Sequence, residues 1–276
     1  MTTPPVVLAV GGTDSGGAAG LAADLAAIGH LGCHAACAVT AVTAQDTTGV
    51  HAVHPVPAAI VAAQLEAVLG DLPVAAVKTG MLGSADAVRL VAGVARHLPL
   101  VVDPVLAATS GALLGDDAVR RCYRDVLLPV ATVATPNLAE ARALTGRRDG
   151  DARDLSARLA DLGCSVIVTG GPEWRPGEHA ADCTDWLCAP GETPTPLRHP
   201  SVATTADHGS GCTFASALAA HLAHGTDLVT AAHHAAAYVS ARLADSSDWR
   251  LGRGRGPVSH LAPGSLDTHP FQEEPT

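Results

Sequence analysis

Val6-Val7-Leu8-Ala9-Val10-Gly11-Gly12 sets the pattern of this chain, and an apolar helical stretch from Gly20 to Ile28 follows it. A run of apolar residues without alternation suits a strand buried on both faces, and the paired glycines turn the chain toward the helix. The pattern recurs outward along the sequence. Ala35 to Ala41, Val74-Ala75-Ala76-Val77, Leu100-Val101-Val102, Ala131-Thr132-Val133 and Ser165-Val166-Ile167-Val168 read as further strands. Helical stretches are predicted between them over 56–69, 84–97, 116–126, 138–145 and 151–162, with two last helices over 211–224 and 227–244. Residues 172–200 read as a surface excursion containing an antiparallel strand, Trp186-Leu187-Cys188. The alternation predicts an α/β fold: a central, mainly parallel sheet with helices on both faces. Ligands in such sheets meet the carboxyl ends of the strands, so loops 11–19, 78–82, 103–112, 135–140 and 169–172 are expected to converge.

Composition narrows the function. At 276 residues and 47 % hydrophobic, the chain buries a full core, read as a single domain over 1–262. The tail over 263–276, with its prolines and paired glutamates, is expected to be disordered. Seventeen basic against 27 acidic residues leave a net charge of −10, which disfavours nucleic acid as a partner. No segment approaches the ~20 apolar residues of a membrane span, and no basic residue precedes the first apolar run, so a cytoplasmic enzyme is expected. The seven cysteines are scattered, which argues against a disulfide framework. Cys33/Cys37 and Cys183/Cys188 lack a second pair or a histidine at zinc spacing, so no metal knot is expected there. Lys78 is the sole lysine.

Chemistry concentrates at His208-Gly209-Ser210-Gly211-Cys212, which runs directly into an apolar helix from Thr213. Glycines let the backbone approach a ligand, and a helix start presents unpaired N–H groups and a positive dipole end, which together form a phosphate site. The plainer alternative is a glycine-rich turn with a structural cysteine. Other residues admit two readings as well. Asp24 is either a ring-binding carboxylate or a solvated helix residue, and Gln45 either a ring contact or a turn residue. Asp103 and Glu140 are either a metal pair or helix caps, and Asn137 is itself a plausible N-cap.

Several co-linear motifs resemble the hydroxymethylpyrimidine/phosphomethylpyrimidine kinases of thiamine biosynthesis, members of the ribokinase-like superfamily. They are Gly12-Thr13-Asp14-Ser15 with Gly20 to Leu25, Thr43-Ala44-Gln45-Asp46-Thr47, Lys78-Thr79-Gly80-Met81-Leu82, and Asp103-Pro104-Val105-Leu106 with Ser110-Gly111. Thr135-Pro136-Asn137-Leu138 with Glu140, the motif at 208–212, and Gly254-Arg255-Gly256-Pro257-Val258 complete the series. The resemblance implies ATP-dependent phosphorylation of a hydroxymethyl group on a small heterocycle. It implies Cys212 as base, with a pKa lowered by the helix N-terminus, and Gly209, Ser210 and Gly211 as the anion hole. It places Asp24 and Gln45 in hydrogen bonds to the pyrimidine and Gly12 and Val105 against its face. Asn137, Thr169 and Gly171 would face the nucleotide, and Asp103 and Glu140 would hold Mg²⁺ through waters. A homodimer is a further implication, with Cys33 to Val42 as its interface.

The chain also departs from that family's pattern. Ala22 and Ala26 stand where the family has Gln and Lys, Thr109-Ser110-Gly111 replaces Lys-Ser-Gly, and Thr169-Gly170-Gly171-Pro172 replaces Lys-Gly-Gly-His. The first glycine-rich loop, Ser15 to Gly20, is shifted as well. These departures keep alternatives open: a kinase for pyridoxal or a modified pyrimidine, or a non-catalytic pyrimidine sensor with eroded phosphate contacts. A related dehydratase is disfavoured, because those enzymes usually carry Asp at the position of Cys212.

Overall fold

The computed structural model describes residues 3–107, 114–170 and 182–261. In chain order the strands are β1 (Val6–Gly12), β2 (His34–Asp46), β3 (Gly49–Pro55), β4 (Val74–Thr79), β5 (Leu100–Val102), β6 (Val133–Ala134), β7 (Ser165–Val168), β8 (Asp182–Cys188) and β9 (Thr195–Pro200). The helices are α1 (Gly20–His30), α2 (Ala58–Asp71), α3 (Ala85–Val94), α4 (Asp117–Cys122), α5 (Leu138–Thr145), α6 (Ala152–Ala160), α7 (Ser210–Ala223) and α8 (Leu228–Ser246). All nine strands join one sheet in the order β3-β2-β1-β4-β5-β6-β7-β8-β9. Pairings from β2 through β7 are parallel, and antiparallel strands close both edges. This is the three-layer α/β architecture that the alternation of strands and helices predicts.

The residues of β1 show why its apolar run does not alternate in polarity. Val6, Leu8 and Val10 pack into one core with Val61 and Leu65 of α2, Val88 and Val91 of α3 and Leu155 of α6. Val7 and Ala9 pack into a second core with Leu21 and Ile28 of α1, Phe214 and Leu218 of α7 and Ala232 of α8. Successive side chains serve opposite layers, so both must be apolar. Lys78 pairs with Ala9 and Val101 in the sheet and therefore enters the α1/α7 layer, where it is fully buried.

Two strands depart from expectation. β3 has a mostly exposed face and carries two histidines, so it lacks the apolar run that marks a buried strand. β9, within the excursion over 172–200, begins and ends near prolines, which confine it to a sheet edge. The helix expected over 116–126 breaks after Cys122 into a π turn, Tyr123–Leu127. There the fully buried Tyr123 donates its hydroxyl proton to the Gly80 carbonyl at 2.9 Å, fixing the loop beyond Lys78. Residues 262–276, and with them the expected tail, lie outside the described residues.

Geometry requires glycine at position 209. Gly209 sits at φ +89°, and a Cβ built there would lie 1.9 Å from the Ala18 carbonyl oxygen. The helix end of α7 and the loop before α1 touch backbone to backbone at this point. Gly209→Ala should therefore cost about 1–3 kcal/mol or more of stability, since strain at a left-handed position adds to the clash. Urea titration checks this, and an unchanged midpoint would contradict it.

Candidate active site

The site grows from the carboxyl ends of β1, β4, β5 and β6 and from the N-terminus of α7. Asp14 organises the loop after β1: its carboxylate accepts the N–H groups of Gly16 at 2.8 Å, Ala18 at 3.1 Å and Ala19 at 2.8 Å. These bonds, with His208 3.5 Å away, hold the acid below its ordinary range although burial opposes the charge. The loop so shaped is the surface that Gly209 meets. Asp14 was read in the sequence only as a motif letter; its Asx-type offset to Gly16 is the signal that could have found it.

Below the loop lies a buried charge cluster. Lys78 Nζ donates to Asp24 Oδ1 at 2.6 Å and stands 3.6 Å from Asp103 Oδ2. Ser216 Oγ donates to the same Asp24 oxygen at 2.8 Å. Ser216 and Cys212 are one turn apart on α7, and Asp24 and Gly20 one turn apart on α1, so each helix presents one stripe to the cluster. Cys212, one turn before Ser216, feels the charges of Lys78, Asp103 and Asp24. Burial works against the lysine's charge, but Asp24 outweighs it and keeps Lys78 protonated well above its usual range. Burial raises both aspartates, with Lys78 opposing.

Several expectations change here. Asp24 is fully buried and serves as the counter-ion of Lys78, so it is not an open carboxylate facing a ring. Its Oδ1 is occupied by two donors, and the reading as a solvated helix residue fails equally. Cys212 keeps a part-exposed edge, yet burial of its sulfur, followed by the charges of Asp103 and Asp24, pushes the thiol well above its ordinary range against Lys78. The helix dipole does not prevail; the resting residue is a thiol. The N–H of Ser210 turns back to the Asp207 carbonyl at 3.1 Å, leaving Gly211 and Cys212 as the first-turn N–H groups without an intrahelical acceptor. Asp207 itself pairs with Arg255.

Gln45 joins a different network from Asp24. Its Nε2 lies 2.9 Å from His208 Nε2, while its backbone exchanges hydrogen bonds with the Ser15 hydroxyl. Gly12 is buried at the end of β1, and a Cβ there would strike the Met81 methyl at 2.4 Å. Met81 thus covers the face expected for a ring. Val105, which follows Asp103 in the same loop, is half-buried. Asn137 caps α5: its side chain accepts from Glu140 N at 2.9 Å, and Glu140 Oε2 accepts from Asn137 N at 3.0 Å. The side-chain oxygen expected at the nucleotide is therefore engaged by the helix, as the capping alternative holds. Thr169 bridges to Asn137 on the neighbouring chain segment. Gly171 and Thr109 lie outside the described residues.

Asp103 and Glu140 are near enough for the charge of Asp103 to act on Glu140. Burial first, then Asp103, raises Glu140 to about 8 against the N–H groups of Asn137 and Leu106. Asp103 Oδ2 is buried without a hydrogen-bond partner among the described residues. Lys78 faces two carboxylates, Asp24 and Asp103, and a cation that displaced the Glu140 proton would find Asp103 and Glu140 as oxygen ligands, which fits Mg²⁺ held by the two. A pH dependence follows. The folded state holds the Glu140 proton above the ordinary value of 4.5, so this stabilisation is complete below that pH and is lost as pH rises toward about 8. Stability measured in urea from acid to alkaline pH should fall across this window, and Glu140→Gln should flatten the fall. An equal slope in the variant would contradict the assignment.

Comparison with known proteins places this geometry. The family described as "Phosphomethylpyrimidine kinase" matches residues 14–259. A curated protein of Synechococcus elongatus named hydroxymethylpyrimidine/phosphomethylpyrimidine kinase is 43 % identical, over 94 % of this chain and 98 % of its own. The pyridoxal kinase of Staphylococcus aureus, solved with AMP-PCP and pyridoxal, superposes with a TM-score of 0.82 at 31 % identity, covering 94 % of each chain. Phosphomethylpyrimidine kinase of Clostridium difficile superposes at 0.71 and 30 % identity, over 86 % of this chain and 98 % of that one. Among the described residues, no helix is long and apolar enough to cross a membrane.

Proposed function

The chain belongs to the phosphomethylpyrimidine kinase family and is a small-molecule kinase, and from that premise we propose that it phosphorylates the hydroxymethyl oxygen of 4-amino-5-hydroxymethyl-2-methylpyrimidine and/or the phosphate of its monophosphate, with ATP as donor and Mg²⁺ as metal. The observation that carries the reading is the cluster Lys78–Asp24–Asp103–Cys212 beneath the N-terminus of α7. It joins an acceptor for the alcohol proton to donors for a phosphoryl group, and phosphoryl transfer needs little else from a protein.

The residues act as follows. The thiol proton of Cys212 leaves to solvent with Lys78 steadying the thiolate, and the sulfur then takes the proton of the substrate hydroxyl, freeing the alkoxide oxygen to attack the terminal phosphorus. The bond from that phosphorus to the bridging oxygen breaks, and its electrons leave on ADP. First-turn N–H groups of Gly211 and Cys212 hold the transferring oxygens. Lys78 keeps Asp24 and Asp103 in place and offsets their charge. A bound Mg²⁺ supplies charge neutralisation on the phosphates, with Asp103 and Glu140 as its holders. Gln45 reads the ring edge, and Val105 and Met81 line its apolar face. Thr169, without a lysine's charge, contributes a hydroxyl near the donor.

A coupled assay of ADP release across a panel of alcohols tests this. The pyrimidine and its monophosphate should give the highest kcat/KM, with pyridoxal measured beside them because pyridoxal kinase superposes so well. Higher turnover of pyridoxal would transfer the assignment to the vitamin B6 class. No ADP release with any alcohol would leave the sensor reading.

A further inference from the structure

A second constellation of ligating groups lies outside the site just described. Cys183 and Asp185 stand two apart on β8 and so share a face, and Cys183 pairs directly with His199 of β9. One potential ligand atom from each lies within 4.8 Å of the other two. Cys183 and Asp185 are 6 % and 4 % exposed. The His199 side chain, at 17 %, gives access from solvent.

We propose that Cys183, Asp185 and His199 form a zinc-binding site that clips β8 to β9. The chemistry of the set fits: one thiolate, one imidazole and one carboxylate make a borderline-soft tetrahedral site with a fourth position for water. Ligand atoms around tetrahedral zinc lie about 3.3–3.8 Å apart, so a triangle with edges up to 4.8 Å needs a contraction of about 1.5 Å at most. Each outer contact is already in place. Ser240 of α8 donates to the Pro200 carbonyl at 3.2 Å and stands 3.3 Å from His199 Nδ1, so it accepts the proton on that nitrogen. That leaves Nε2, 3.2 Å from Asp185 Oδ2, as the metal-facing nitrogen. The other oxygen of Asp185 accepts from Gly170 N at 3.0 Å, which fixes the carboxylate's plane. Such outer partners orient ligands in zinc proteins. On metal entry the protons of the thiol and of Nε2 leave to solvent, and both donate lone pairs to the ion. Gly170 adjoins Thr169, so the clip tethers the segment that approaches the nucleotide side of the kinase site.

The pairing explains why sequence spacing missed the site. Cys183 and His199 meet across a hairpin, not through a short knuckle, and β9 was not read as a strand.

Zn²⁺ and Co²⁺ titrations of the full chain test the proposal. The expected result is one equivalent bound, a thiolate-to-cobalt charge-transfer band with Co²⁺, a raised melting midpoint with Zn²⁺, and one sulfur in the zinc absorption fine structure of the wild type. Cys183→Ser and His199→Gln should each weaken binding by at least about 10–100-fold, and Ser240→Ala by about tenfold. Cys33→Ala should leave binding unchanged; it guards against the other cysteine–histidine contact, Cys33 Sγ to His224 Nε2 at 3.4 Å. Absence of the charge-transfer band in the wild type, more than one sulfur at the metal, or full binding retained in Cys183→Ser would overturn the proposal. The wild-type spectra decide it even where a variant fails to fold.

Discussion

Cys212→Ala should lower turnover of the pyrimidine alcohol by roughly 10²–10⁴-fold while leaving nucleotide affinity nearly unchanged. Cys212 is the part-exposed residue of the cluster, at the N-terminus of α7 and within the field of Lys78. Removing the thiol deletes the acceptor of the substrate hydroxyl proton, whereas the first-turn N–H groups of α7 survive because alanine keeps the helix. The resting state sharpens the expectation. Burial and the neighbouring carboxylates hold the sulfur protonated, so alkylation of the free enzyme at neutral pH should be slow, unlike that of a thiol activated by a helix end. Steady-state kinetics and nucleotide titration separate the two effects. Wild-type turnover in the variant would move the base elsewhere.

Lys78→Met carries the largest expected effect on stability. The lysine is fully buried and neutralises two buried aspartates. Removing one partner of a buried ion pair leaves uncompensated charge and costs about 3–5 kcal/mol. For a chain of this size that lowers the melting midpoint by roughly 6–20 °C. Adding Asp24→Asn to Lys78→Met should recover part of the loss, because the amide removes the orphaned charge while retaining an acceptor for Ser216. Thermal denaturation reads both steps. A double variant no better than the single one would show that Lys78 acts through something other than its pairing with Asp24.

The layers of the fold were legible because burial on both faces writes itself into composition: β1, β4, β5 and β7 are apolar runs and their loops carry the motifs. Edge strands lack that mark. β3 is polar and exposed, and β9 is framed by prolines, so neither stands out from a loop in the sequence. The site was legible as a set of positions and less so as a set of roles. Cys212, Asp103 and Glu140 come together as the motifs imply. Asp24 does not face a ring, because sequence spacing says nothing of the lysine that enters the same layer from β4. The Cys212 thiol departs from expectation for a related reason: the helix N-terminus is local and readable, whereas the burial that outweighs it, joined by Asp103 and Asp24, comes from elements distant in sequence. Asn137 followed local chemistry, its Asn-x-x-Glu spacing forming the capping box that such spacing predicts.

The central claim is that this cluster places a phosphoryl group on the hydroxymethyl oxygen of a pyrimidine. Phosphorus NMR of the protein incubated with ATP, Mg²⁺ and the pyrimidine alcohol tests it directly. The account predicts a new phosphomonoester resonance coupled to the methylene protons, appearing with stoichiometric ADP and growing roughly 10²–10⁴-fold more slowly with Cys212→Ala. Intact ATP, or inorganic phosphate released while the alcohol remains unmodified, would contradict it.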